Sequence, residues 1–388
     1  MIDSTIWREY GTPLLPATST GPLDGLTVAV KDLMAVGGFR IGAGNPTWLA
    51  QAGVETDDAW AVRSLRAAGA AIAGIAQTDE LAFSISGTNV HYGTPPNPAA
   101  PKLVTAGSSS GPASAVACGL ADVGLGTDTA GSIRAPASVC GLYGLRPTYG
   151  AVPIDGVLAL APSFDTVGWL ASDPHVLRTV GTVLLPPAHA RWPGQLLCPD
   201  PGAVDDARSV ADALGTGIQV GWPPGLGSHD AVTELLAAFR TVQTAEAWQA
   251  RGAWITANPG ALAGDVEARF RSGSGIDLYT YGRARDLIAV RRARIVDVMT
   301  EGTWLILPAA SGPGHPRNAP AAAKDAWRQA TLRLTVPASA FGLPSCALPI
   351  PVPSRPPVGT ALVGPPGADL ALLDAAVRVG LSSSPVRA

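Results

Sequence analysis

Leu26-Thr27-Val28-Ala29-Val30, set after Asp24-Gly25 and ending at Lys31-Asp32, decides the fold class. A short β-branched apolar run bounded by turn residues reads as a buried strand. Moving outward, Asp57 and Asp58 can cap a helix through Trp60, Val62, Leu65 and Arg66 that stops at Gly69, and Ile72-Ala73-Gly74-Ile75 is a second strand. Strand, helix and strand in succession predict an α/β layer. Further along, Ser84 to Ser110 is rich in Gly, Asn, Pro and Ser and reads as a long functional loop. Pro112 to Leu120 reads as a small-residue helix, Ala121 to Gly126 as a strand, Asp128 to Ser132 as a tight turn, and Ile133 to Val139 as a helix. Pro186 to about Pro224 is Pro/Gly-rich and reads as a surface connection. Helical periodicity returns over Ala231 to Ala250 and Arg283 to Met299, and Leu305-Ile306-Leu307-Pro308 and Cys346-Ala347-Leu348-Pro349-Ile350 read as strands closed by proline.

Composition narrows the function classes. The 388 residues are 47% hydrophobic and 15% charged, with a formal net charge of −3. That balance lacks the basic excess of a nucleic-acid binder. It also lacks the low hydrophobicity and high charge of a disordered chain. The four cysteines (Cys118, Cys140, Cys198, Cys346) and five histidines are scattered, with no C-x-x-C, H-x-H or H-E-x-x-H, so neither a disulfide scaffold nor a metal site is expected. The N-terminus does not read as a signal peptide, and no window of 18 uninterrupted apolar residues suggests a span. The expectation is a soluble, reduced, cytoplasmic protein.

Three features carry chemistry. Lys31 stands alone at the end of an apolar strand. It either marks where the strand meets water or is a desolvated amine whose lowered pKa lets it take a proton near pH 7. The second feature is Thr105-Ala106-Gly107-Ser108-Ser109-Ser110-Gly111. It could be a flexible turn, and it also matches G-x-S-x-G around Ser109. However, Pro98, Pro101 and Lys102 precede it where a hydrolase elbow needs a strand, and no histidine stands out as its base. The third is Gly124-Leu125-Gly126-Thr127-Asp128-Thr129-Ala130-Gly131-Ser132-Ile133-Arg134. Its glycine spacing fits neither phosphate-binding pattern. Successive N–H groups of Thr129, Ala130, Gly131 and Ser132 could instead converge on an oxyanion beside an attacking hydroxyl.

Gly25–Asp32, Ala106–Gly111, Gly126–Ala137 and Cys140-Gly141-Leu142-Tyr143-Gly144-Leu145-Arg146-Pro147-Thr148, in that order, closely resemble the amidase signature family. Ser132 follows Ser108 by 24 residues, as in that family, and Val358–Leu370 looks like its closing segment. The resemblance implies one domain over residues 1–388: a large twisted mixed β-sheet covered by helices on both faces. Its core signature region would run from about 25 to 171, with a variable substrate-side region from about 186 to 302. It also implies a Ser–cis-Ser–Lys triad: Ser132 the nucleophile, Ser108 the bridging serine behind a cis Gly107–Ser108 bond, and Lys31 the terminal base. Thr129, Ala130, Gly131 and Ser132 would form the oxyanion hole. Ala130 stands where most members have glycine and requires a negative φ. Pro112, in the first turn of its helix, is tolerated. No metal or organic cofactor is implied.

The implied reaction is hydrolysis of a small amide through a seryl acyl-enzyme. Gly44–Leu49, His91–Pro98 and Ser163–Trp169 look most like short plant-type amidases acting on indole-3-acetamide, and some of the ten tryptophans could line an aromatic pocket. The alternatives are an allophanate- or biuret-type hydrolase, an amidotransferase A-type subunit, or a binding module that has lost catalysis. Arg134 is a candidate for holding a substrate carboxylate; the other reading pairs it with Asp128 or Asp165 as a brace. The expected partner is a small-molecule amide, without nucleic acid or membrane, and a homodimer is allowed.

Overall fold

In the computed structural model, which describes residues 3–188, 192–223, 226–350 and 355–383, the strands among the described residues form one eleven-stranded sheet. They are β1 Trp7–Leu15, β2 Thr27–Lys31, β3 Ala71–Ala76, β4 Val123–Thr127, β5 Tyr143–Arg146, β6 Val167–Ala171, β7 Gln195–Cys198, β8 Gly217–Val220, β9 Thr303–Pro308, β10 Ser345–Ile350 and β11 Val358–Val363. Their order across the sheet is β1-β3-β2-β4-β6-β5-β10-β11-β9-β7-β8. β2 lies parallel to β3 and β4, and β7 parallel to β8 and β9; the other pairings are antiparallel.

The helices are α1 Pro46–Gln51, α2 Trp60–Ala67, α3 Ser110–Ala117, α4 Arg134–Cys140, α5 Pro174–Leu184, α6 Val204–Leu214, α7 His229–Ala257, α8 Gly264–Arg271, α9 Leu278–Thr300, α10 Ala321–Ala340 and α11 Asp369–Ser383. None is long and apolar enough to cross a membrane among the described residues. Strand alternation sets the two layers. On β6, Trp169 packs into the core containing Leu177 of α5 and Leu373 of α11, whereas Leu170 joins Ala113 of α3 and Ile133 and Ala137 at α4. On the α3 side, β4 presents glycine. A Cβ at Gly126 would lie 2.5 Å from Ser109 Oγ, and one at Gly124 would lie 2.9 Å from the Pro112 carbonyl. Glycine therefore lets the serine-rich loop and the start of α3 rest directly on the strand.

The strands and helices read near Lys31 are present, with ends shifted by a few residues. The Asp57–Asp58 cap is not. α2 has Ala59 at its N-cap with no side-chain bond, because the Asp58 carboxylate accepts the Gly37 N–H at 2.9 Å and pairs with Arg66 at 2.5 Å. Residues 186–224 are also not simply a connection. β7, α6 and β8 form a strand–helix–strand unit at the edge of the sheet remote from β1. Its strands have four residues each, and β8 is largely exposed. Such short strands leave too little apolar signal to outweigh flanking Pro and Gly.

Trp169 is fully buried at the centre of β6, and its indole N–H donates to the Leu177 carbonyl at 2.9 Å. Trp169→Ala should therefore lower unfolding free energy by about 3–5 kcal/mol, read from the urea midpoint at unchanged slope.

Candidate active site

Lys31 is the last residue of β2, and the neighbouring strands β3 and β4 deliver its surroundings. Its side chain is fully buried. Nζ donates to Ser108 Oγ at 2.8 Å, Thr127 Oγ1 at 2.8 Å and Ser109 Oγ at 3.1 Å. Burial lowers the amine to about 7, while the charges of Asp79, Asp128 and Asp165 oppose the shift. Of the two readings of this lysine, the geometry selects the desolvated one. Thr127, given no role of its own in the sequence reading, is one of its three hydroxyl partners.

The serine-rich loop gives each hydroxyl a different position. The Gly107–Ser108 bond is cis, and Ser108 reaches Lys31. Ser109 Oγ also donates to the Thr127 carbonyl at 3.3 Å, and Ser110 Oγ donates to Asp79 Oδ1 at 3.1 Å. Asp79 packs so closely under the loop that a Cβ at Gly107 would come within 2.4 Å of its carboxylate. Asp79 further accepts the Gly87 N–H at 2.9 Å, and Thr78 Oγ1 donates to the Ser108 carbonyl at 2.8 Å.

The turn before α4 is organised by Asp128. Its carboxylate accepts the N–H groups of Gly131 at 2.8 Å and Ile133 at 3.1 Å, and it binds Arg134 through Nε at 3.0 Å and Nη2 at 2.8 Å. Arg146 Nη1 lies 3.3 Å from the same carboxylate. Burial alone would raise the Asp128 pKa, but Arg134 and Arg146 hold it well below the usual carboxylate range. Thr129 Oγ1 donates to Asp165 at 2.6 Å, and Thr335 Oγ1 donates to the Ala130 carbonyl at 2.5 Å.

One expectation for this turn is corrected. The Gly131 N–H is occupied by Asp128, so it is not a free oxyanion donor here; among the described residues, the N–H groups of Thr129, Ala130 and Ser132 have no partner. Glycine is nonetheless required at 131, where φ is 126° and a Cβ would meet Thr335 Cγ2 at 2.9 Å. Ala130 is not among the residues of positive φ, so it meets the condition set for it. For Arg134 the geometry favours the brace. It is buried, and four of its five N–H groups are taken: two by Asp128, one by the Thr335 carbonyl at 2.7 Å and one by Ser339 Oγ at 2.8 Å.

Ser132 is buried, and its carbonyl accepts the Ser109 N–H at 3.3 Å. Its hydroxyl makes no hydrogen bond among the described residues, whereas Lys31 and Ser108 are in direct contact. Ser132, Thr129 and Ala130 line a cavity of about 20 Å³, walled by Phe83, Ile85, Leu160 and Leu332 and carrying Gln243 and Arg328. A larger cavity of about 410 Å³ shares Ser84 and Arg328 with it. Gln243 and Arg328 escaped the sequence reading. For Gln243 a signal exists: it is a polar residue in the buried stripe of α7, beside Phe239 and Val242. No tryptophan lines either cavity among the described residues, so the aromatic pocket that some of them could have formed is not found.

With this geometry in place, likeness to known proteins is informative. The Amidase family model matches residues 8–253. Amidase 1 of Arabidopsis thaliana is 35% identical over 404 residues, covering 93% of this chain and 94% of that protein. Amidase 1 of Oryza sativa subsp. japonica is 48% identical over 171 residues, covering 44% of this chain and 39% of that one. A crystal structure of an amidase superposes with a TM-score of 0.81 at 27% identity, covering 94% of this chain and 86% of its own. The chain belongs to the amidase family, and it is an enzyme that hydrolyses amide C–N bonds.

Asp128→Asn would leave Arg134 and Arg146 buried without their counter-charge. The expected loss is about 3–5 kcal/mol of stability by urea denaturation at pH 7. Because the Asp128 pKa is depressed in the folded state, its contribution is present above the ordinary carboxylate range and disappears as pH falls below it. The difference between wild type and variant should shrink accordingly in acid.

Proposed function

We propose that Ser132 is the acyl-accepting nucleophile, Ser108 the proton relay and Lys31 the base. The observation that carries this reading is a fully buried amine, its pKa lowered to about 7, held 2.8 Å from Ser108 Oγ. Neutral Lys31 takes the Ser108 proton as Ser108 takes that of Ser132, and Ser132 Oγ bonds to the amide carbon. The oxyanion is met by the N–H groups of Thr129, Ala130 and Ser132. The proton returns through Ser108 to the nitrogen, the C–N bond breaks, and ammonia or an amine departs. Water then attacks the acyl ester by the same relay in reverse, giving the carboxylic acid and restoring Ser132.

The acyl group next to the carbonyl is short and slim. A space of about 20 Å³ is close to that of one water. An indole-sized group would have to lie in the larger cavity, whose wall carries Glu80, Asp265, Arg269, Lys324 and Asp325. Trp169 and Trp304 are buried in the core, and Trp48 and Trp254 meet edge to face with ring centroids 5.1 Å apart. A short-chain primary amide suits these walls better than an aryl one.

Ser132→Ala and Lys31→Met should each lower kcat/KM on a short primary amide by about a thousandfold or more. Wild-type kcat/KM should rise tenfold per pH unit on the acid side and level off near pH 7 as Lys31 loses its proton, a limb absent from Lys31→Met. Stability gives a second readout. With the folded pKa lowered from 10.5 to about 7, the unfolded chain binds more protons between those values. Stability should therefore rise with pH across that window, and Lys31→Met should flatten the rise. Turnover unchanged by Ser132→Ala, or a trapped acyl adduct on a different serine by mass spectrometry, overturns the assignment.

A further inference from the structure

Asp79, just beyond the end of β3, touches the Ser108 segment from several sides. Its N–H donates to the Ser108 carbonyl at 3.2 Å, beside the Thr78 hydroxyl on the same oxygen at 2.8 Å. Its carboxylate lies under Gly107, accepting the Ser110 hydroxyl on Oδ1 at 3.1 Å and the Gly87 N–H on Oδ2 at 2.9 Å. The residue is fully buried, and among the described residues no cation lies within ion-pair distance of it. Lys31, which holds the side chain of Ser108 where Asp79 holds its carbonyl, is in the same state. It is fully buried, bound to three hydroxyls, and no carboxylate among the described residues stands within ion-pair distance of Nζ.

Lone buried groups of opposite sign are each costly, and each lowers the cost of the other. Of the three carboxylates whose charge opposes the downward shift of Lys31, Asp79 acts most strongly, ahead of Asp128 and Asp165. Those two are committed elsewhere. Asp128 is bound by Arg134 and Arg146, and Asp165 by the Thr129 hydroxyl and the N–H groups of Leu160 and Ala161. The carboxylates next in sequence to Lys31 and Asp79 are also taken: Asp32 by Arg8 at 2.9 Å, and Glu80 by His91 and Asn45, each at 2.7 Å. Burial pushes the Asp79 carboxyl up, while the Gly87 N–H, the hydroxyls of Ser84 and Ser110 and the charge of Lys31 pull it down. Every one of those contacts favours the ionised form.

We propose that Asp79 is a positioning residue for acyl transfer: it holds the backbone of Ser108 and supplies the negative charge opposite the ammonium that Lys31 becomes. The step balances without any change in the protons of Asp79. The Ser132 proton passes to Ser108, the Ser108 proton passes to the lone pair of Lys31 Nζ, the bond from Ser132 Oγ to the amide carbon forms, and the carbonyl π pair moves onto oxygen. Positive charge thus appears on a buried amine as negative charge appears on the oxyanion. N–H groups meet the oxyanion, whereas the direct partners of the ammonium are hydroxyls alone. A carboxylate fixed beforehand by Gly87 and Ser110 stabilises that ammonium without rearranging. This inference rests on the assignment of Lys31 as base and Ser108 as relay.

The chain has three lysines, Lys31, Lys102 and Lys324, so NMR of protein labelled at lysine Cε gives a Lys31 signal that Lys31→Met identifies by its loss. Following that signal against pH reads the amine directly, whether or not a substrate is turned over. Asp79→Asn should move its midpoint down by about one pH unit, a tenfold change in the ratio of charged to neutral amine. The acid limb of kcat/KM on a short primary amide should move by the same amount, while its plateau falls about tenfold as the base weakens. Thr78→Val removes a bond to the Ser108 carbonyl and keeps the charge, so it should lower the plateau with both midpoints unmoved. Asp79→Ser, neutral and smaller, repeats the reading, and thermal melting shows which variants fold. A Lys31 midpoint that stays or rises in a folded neutral variant overturns the proposal. An equal shift in Thr78→Val also overturns it, because displacement of the loop then suffices. Failure of both neutral variants to fold does the same, leaving Asp79 a structural brace alone. The assignment of Lys31 as base fails by a different sign, an acid limb that survives Lys31→Met.

Discussion

The interaction on which this structure turns is the burial of one amine at the end of β2. Moving Lys31 from water into the sheet shifts its pKa from 10.5 to about 7, a penalty of roughly 5 kcal/mol against carrying its charge. A fold can tolerate that only if every N–H finds an acceptor and the group can exist neutral. Three hydroxyls supply the acceptors, from Thr127, Ser108 and Ser109. Each belongs to an element that the sheet must bring to the same point. Strand order β3-β2-β4 places Thr127 beside Lys31, and glycine on β4 lets the serine loop settle on the sheet. The positions of the serines are thus consequences of satisfying the lysine.

A second centre of charge, Asp128, solves the opposite problem. Burial works against its ionised form, and two arginines reverse that balance. By binding the N–H groups of Gly131 and Ile133, it bends the turn so that those of Thr129, Ala130 and Ser132 are left without partners. Unpaired buried N–H groups are costly, so a turn that keeps three of them needs a strong anchor. Asp128 is that anchor. The arginines matter to the site through it, which is why Arg134, the first residue of α4, spends most of its donors inside the protein.

How far the sequence could be read follows from where each signal lies. Lys31, Ser108 and Ser132 lie in short stretches that were each ambiguous alone; their grouping and the cis bond were legible only through the family that those stretches together resemble. Around them the strand–helix–strand alternation was visible because each apolar run ends at a clear break. The β7–α6–β8 unit was not, because its four-residue strands lie among prolines and glycines. Side-chain pairing across long separations was also out of reach. Whether Arg134 faced a substrate or Asp128, and whether the Gly131 N–H was free, depended on one carboxylate's orientation. Arg328 was invisible for a related reason: an arginine in a helix beside Asp325 looks like any solvated surface pair.

The division between these two kinds of residue has a functional reading. The amine, its hydroxyls and the Asp128 turn sit on strand ends and on loops fastened to them, where a small displacement would strand a buried charge. Part of the walls of the two cavities comes instead from helices: Gln243 from α7, Arg269 from the short α8, Arg328 and Leu332 from α10. A change of side chain there alters what lies next to the carbonyl without touching the network that holds Lys31. On the proposed mechanism, chemistry and acyl preference are set by separate layers of the molecule. Thr335 joins the layers, since one side chain on α10 fixes both the Ala130 carbonyl and, one and two turns away, the groups that face the acyl chain.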